Sequence, residues 1–220
     1  MMTDARRYAP ATARNRDAIL AALRRHLPAR GVVLEVASGT GEHAVRFAAA
    51  LPRLVFQPSD PDPEARASTD AWAAGARLPN LRAALALDVT APDWEAAVGG
   101  RADAVLCINM VHIAPWAATL GLVRGSARLL PAGGVLCLYG PFRRGGQHTA
   151  PSNAAFDTQL RATDRAWGVR DLQAVADEAA ARGFAAPAVE EMPANNLFVV
   201  FRGGSLPNHA VQTGRTGAHR

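Results

Sequence analysis

Strands covered on both faces read as nearly continuous apolar runs, and this sequence contains five of them in succession. They fall at residues 32–36, 54–57, 82–87, 104–108 and 134–139. The first four lead through a turn into helical spacing: to Leu51, through Trp72, around Trp94, and at 120–129. Such alternation requires crossover connections, hence a parallel sheet with helices on both faces. Ahead of it, residues 12–27 carry Ile19, Leu20, Leu23 and Leu27 at helical spacing, and Pro28 and Gly31 end that helix. After Tyr139 come a polar loop, helices at about 152–161 and 170–182, and strands at 188–192 and 197–201 joined by a turn-rich connection of hairpin length. The expected fold is α/β, a doubly wound, mainly parallel seven-stranded sheet with an antiparallel C-terminal strand pair. Residues 1–202 form a single domain with an N-terminal helix, and 203–220 read as a flexible tail.

Charge narrows the partners. All 24 basic residues are arginine, and the formal net charge is +5. Seven arginines lie in residues 1–30 and three in 202–220, which leaves 14 arginines against 17 acids in the body of the domain. A basic face is what phosphate contacts need, so nucleic acid is not the expected partner. No apolar run approaches the length of a membrane span, and residues 1–17 contain no apolar stretch of signal-peptide length. Cys107 and Cys137 both sit inside strand-like runs, which speaks against a disulfide framework or thiolate metal site and for a reducing, cytoplasmic setting.

Ligands of open α/β sheets bind beyond the carboxyl ends of the strands, where strand order reverses. The polar features cluster there. Strand 1 ends in Glu35, and the small residues Ala37, Ser38, Gly39 and Gly41 open a helix whose free N–H groups can hold an anionic group. Strand 2 leads to Asp60, able to accept both hydroxyls of a ribose. Strand 3 leads to Asp88, able to accept from an exocyclic amine such as that of adenine. Together they indicate a bound nucleoside. Gly39-x-Gly41-x-x-Ala44 also fits a dinucleotide fingerprint, so an NAD-dependent oxidoreductase is the rival reading, with Glu35 and Asp88 against it.

These residues and the closing strand pair resemble a class I S-adenosylmethionine-dependent methyltransferase. More narrowly, APATARN, EVASGTGEH, FQPSDPD, INMVHIAPW, LYGPF, SNAAFD, WGVRDL and MPANN resemble the methyltransferase-like 26 family, also labelled a domain of unknown function. Ala37 stands where the general methyltransferase loop has glycine. The resemblance implies S-adenosylmethionine as cofactor and a small-molecule acceptor. It places residues 37–41 against the methionine part, Glu35 near its amino group, Asp60 on the ribose, Asp88 and Val89 on adenine, and Asn109 and Met110 along the methyl edge.

On the acceptor side, His112 and Asn109 are the catalytic candidates, His112 as a base for an oxygen or nitrogen nucleophile. Trp116, Tyr139 and Phe142 are candidates for an aromatic wall. Arg14 and Asn15 suggest an N-terminal lid, and Arg143 and Arg144 a loop able to meet an acidic substrate. Strand 4 leads into Asn109-Met110-Val111-His112 rather than an amine-orienting Asn/Asp-Pro-Pro-Tyr/Phe loop, which argues against adenine or glutamine N-methylation. A third reading is a binding or scaffold protein that has kept the pocket without turnover.

Overall fold

The computed structural model describes residues 4–203, and the tail, apart from Gly203, lies outside the described residues. Nine strands and six α-helices follow in chain order: α1 (Pro10–His26), β1 (Gly31–Val36), α2 (Glu42–Ala50), β2 (Leu54–Asp60), α3 (Pro63–Ala76), β3 (Leu85–Ala86), β4 (Ala104–Ile108), α4 (Trp116–Leu129) and β5 (Val135–Gly140). Then come β6 (Arg143–Arg144), β7 (Gln147–His148), α5 (Pro151–Thr163), α6 (Leu172–Ala181), β8 (Ala188–Met192) and β9 (Asn196–Arg202). Seven strands form one sheet in the order β3-β2-β1-β4-β5-β9-β8. β1 to β5 are parallel, while β9 runs antiparallel to both β5 and β8.

Alternation along each strand divides the core into two layers. Leu34, Cys107, Leu138 and Val199 pack on one face with Leu122 of α4 and Val175 of α6. Val33, Leu106, Cys137 and Phe198 pack on the other with Ile19 and Leu23 of α1 and Phe47 of α2. The two free cysteines therefore sit on opposite faces, and burial pushes each thiol up to about 12.

Three local differences from the sequence reading stand out. The helix around Trp94 is 3₁₀ (Trp94–Val98). β3 shrinks to two residues, with a separate bridge between Phe56 and Leu81. β2 continues through Pro58 to Asp60. Proline is tolerated there because Phe56 and Asp60 both bond toward the β3 side. Pro58 points the same way, into the interval between the Leu81 bridge and Leu85 where no ladder bond is required. No helix is long and apolar enough to cross a membrane among the described residues.

Candidate active site

Strand order reverses between β1 and β4, so the crevice opens where residues 37–41 leave β1 and Asn109 leaves β4. The loop after β1 is left-handed at Ala37 (φ 56°), Gly39 (φ 57°) and Gly41 (φ 86°). Ser38 locks it to β2. Its N–H donates to Ser59 O (2.9 Å), and its Oγ accepts from Ser59 N (3.1 Å). The two glycines have different tasks. A Cβ on Gly39 would meet nothing within 4 Å, so its side of the loop is open. A Cβ on Gly41 would lie 2.5 Å from Thr69 Cα, so Gly41 lets the loop pack against α3. The neighbour that requires glycine here is helix backbone.

Asp60 is buried at the end of β2. Oδ2 accepts from Gly39 N (3.0 Å) and Oδ1 from Asp62 N (3.0 Å). Each oxygen keeps a further lone pair. Asp88 is exposed, and its Oδ1 accepts from Thr90 N (2.8 Å) and Thr90 Oγ1 (2.7 Å). Val89 and Met110 are buried beside these strand ends.

Glu35 lies beneath the loop at 2% exposure, with Oε2 buried and lacking any hydrogen-bond partner. Burial pushes its carboxyl up to about 8, a Ser38 hydrogen bond opposing and the Asp60 charge adding. An orphaned buried acceptor of this kind costs stability until a donor meets it.

The other side of the crevice is a cavity of about 680 Å³. Ala11, Arg14, Asn15 and Ala18 line it from α1. Their spacing places them on one helical face. Asn109 and Tyr139 line it from β4 and β5, Asn153 and Phe156 from α5, and Asn195 from the turn between β8 and β9. Asn15 ties α1 to α2: its Oδ1 lies 2.8 Å from His43 Nε2. Asn153 Nδ2 donates to Asn195 O (2.9 Å), tying α5 to the turn.

In that turn Ala194 (φ 59°) and Asn195 (φ 58°) are consecutive left-handed non-glycines. Ala194 is exposed, so Ala194→Gly should relieve strain without losing packing. A gain of about 1 kcal/mol, read as a melting-temperature rise of roughly 2–4 °C, is expected. A fall would show that the methyl group packs.

The structure separates the remaining acceptor candidates. Asn109 (φ 61°) and Tyr139 face the cavity. Phe142 is fully buried, its ring 4.8 Å from that of His112 in an edge-to-face pair. Trp116 is half-buried against the α4 core, with the Arg170 guanidinium 5.8 Å from its ring centre, and it does not line the cavity. His112 does not line the cavity either. Its ring is fully buried, Nδ1 accepts from Arg170 N (3.2 Å), and Nε2 points at Gly140, where a Cβ would be 2.5 Å away. Burial drives its pKa down to about 3, the Arg170 charge adding to the shift. It braces the segment 167–171: Gly168 N donates to His112 O (2.9 Å), and Arg170 donates to Val111 O (2.9 Å) and Ala114 O (2.6 Å). Arg143, in the loop expected to meet an acidic substrate, is anchored: its Nε donates to Val169 O (3.0 Å).

The residues missed by sequence reasoning are Asn153, Phe156 and Asn195. They lie in SNAAFD and MPANN, two of the segments that carry the family resemblance.

Known structures share this architecture. A putative O-methyltransferase from Nostoc punctiforme PCC 73102 superposes with a TM-score of 0.73 at 18% identity, over 88% of this chain and 57% of that one. An O-methyltransferase family protein from Burkholderia thailandensis gives 0.71 at 18% identity, over 89% and 61%. Human N-acetylserotonin methyltransferase, solved with S-adenosylmethionine, gives 0.69 at 13% identity, over 89% and 53%. The chain thus spans about three fifths or less of these proteins, and the likeness establishes the class I methyltransferase fold. Residues 6–203 match the family described as "Protein of unknown function (DUF938)", and the chain belongs to that family.

Proposed function

We propose that the protein is an S-adenosylmethionine-dependent methyltransferase acting on a small molecule, in line with the resemblance of its motifs to the methyltransferase-like 26 family. The observation that carries this reading is the buried, unpartnered Glu35 Oε2 under a loop whose Gly39 peptide is open. An α-ammonium is the donor such an acceptor lacks. Asp60 would hold the ribose hydroxyls through its remaining lone pairs, and Asp88 and Val89 the adenine, as the strand-end positions suggest. Glu35 and Asp88 favour this over a dinucleotide.

When bound, S-adenosylmethionine would supply a methyl group on a sulfonium, an electrophilic carbon with a good leaving group already attached. The protein's share is alignment and exclusion of water. Orientation of this kind can supply roughly 7–11 kcal/mol. Asn109 and Tyr139, which line the cavity at the ends of β4 and β5, would orient the acceptor. Burial raises the Tyr139 phenol above its ordinary value, so it stays protonated and can donate.

Glu35 gives the test a sharp readout. At pH 7 its carboxyl, raised to about 8, is mostly protonated, and an ammonium beside it favours the ionised form. Binding of S-adenosylhomocysteine at pH 7 should therefore release close to one proton, seen by calorimetry in buffers of different ionisation enthalpy. Glu35→Gln should bind more weakly and release none. Binding of NADH with no response to S-adenosylhomocysteine would overturn the reading.

A further inference from the structure

Some arginines on this surface are matched with carboxylates. Arg7 pairs with Asp62, Arg46 with Asp17, Arg128 with Glu95, and Arg161 with Asp157. Arg14 forms no ion pair among the described residues, yet it stands on the α1 face that lines the cavity. None of the residues lining that cavity is acidic. What they offer instead is carboxamides, the Tyr139 phenol and apolar surface from Phe156, Pro141 and Pro193. α5 also enters with its N-terminal turn, Ser152 and Asn153, and its cap residue Ala150 makes no side-chain capping bond. The positive end of that helix adds to the field of Arg14. A cationic ligand would find no counter-charge here, and a neutral one would leave Arg14 unused. An anion satisfies both.

Resting on the methyltransferase reading above, we propose that the acceptor is a small organic carboxylate, its acid group held by Arg14 and its apolar body packed against Phe156 and the two prolines. A guanidinium fork matches a carboxylate in two parallel hydrogen bonds, so the acid group sets register as well as affinity. Asn109 and Tyr139 then meet the far end of the molecule, at the strand ends nearest the glycine loop.

The test is calorimetric titration of the full chain, saturated with S-adenosylhomocysteine, using matched acids and amides. The probes are 4-hydroxybenzoate with 4-hydroxybenzamide, and 3-phenylpropionate with 3-phenylpropionamide. Each acid should bind at least about tenfold more tightly than its amide. Arg14→Gln should erase that preference and Arg14→Lys retain part of it, with S-adenosylhomocysteine affinity unchanged in both. Arg14 is exposed, so neither variant endangers folding. The proposal is overturned if acids bind no better than amides, if no probe binds, or if the preference survives Arg14→Gln. It is equally overturned if Arg14→Gln weakens S-adenosylhomocysteine itself, which would give Arg14 to the cofactor's carboxylate. Should the unaltered protein not bind S-adenosylhomocysteine, the methyltransferase reading fails by itself, and the acid preference measured without it still decides the role of Arg14.

Discussion

Gly41→Ala should unfold the protein far more readily, while Gly39→Ala should leave it folded and empty its crevice. The added methyl at Gly41 would sit 2.5 Å from Thr69 Cα and 2.8 Å from Thr69 Oγ1, and backbone held in a helix cannot step aside. To this is added the cost of an L side chain at φ 86°. Overpacking and backbone strain of this size together come to about 3 kcal/mol or more. At Gly39 only the conformational cost applies, about 1–2 kcal/mol, because its side is open. The same openness makes its methyl group intrude where a ligand would touch the peptide, so S-adenosylhomocysteine affinity should fall by about tenfold or more. Urea denaturation and calorimetry on both variants check the pair. If Gly41→Ala remains stable and loses only binding, the division of labour drawn here is wrong.

The second large effect is on pH. Burial lowers the folded pKa of His112 to about 3 and of His43 to about 4, both from 6.5, so between those values and about 6.5 the unfolded chain binds protons that the folded chain does not. Stability supplied by these rings is fully present above pH 6.5 and lost as pH falls. Glu35 works in the opposite direction. Raised from 4.5 to about 8, it is protonated in the fold where the unfolded chain has ionised, so its contribution holds below 4.5 and is lost as pH rises through 8. Each group is worth about 1.4 kcal/mol per pH unit within its window. From pH 6.5 to 4.5 two histidines outweigh one glutamate, and from 6.5 to 8 the glutamate acts alone. Without ligand, unfolding free energy should peak near pH 6.5. Glu35→Gln should abolish the alkaline decline, and His112→Ala should flatten the acid limb while lowering stability by about 2–4 kcal/mol through the emptied ring site and the unpaired Arg170 N–H. A profile level from pH 5 to 8 would contradict the burial of these groups.

Much of the architecture was legible because buried parallel strands carry an apolar signal along their whole length. Ala104–Ile108 and Ala188–Met192 agree with the sequence residue for residue. β3 was misjudged because its pairing follows backbone position at the edge, with only Leu85 and Ala86 in register with β2. In the site, Glu35, Gly39 and Asp60 were readable from their places beside predicted strand ends. The orientation of His112 was not readable, because sequence places it just past a strand end without saying which way its ring turns. The 3₁₀ turn Met110–His112 carries that ring inward onto Gly140, a contact made by a residue 28 positions further on. The cavity was hidden for a related reason. Its lining comes from α1, α5 and the last hairpin, segments far apart in sequence that only the completed sheet brings together.

The place of β9 bears on the order in which the molecule can assemble. It lies between β5 and β8, pairing Val135 with Arg202 at one margin and Met192 with Asn196 at the other. During synthesis the two neighbours are made first, and each waits with an open row of amides and carbonyls for the same late segment. Five strands can join as they emerge from the ribosome, but the β5 edge stays available to foreign strands until residue 202 is free. A nascent chain stalled before Asn196 would therefore be the species most in need of a chaperone.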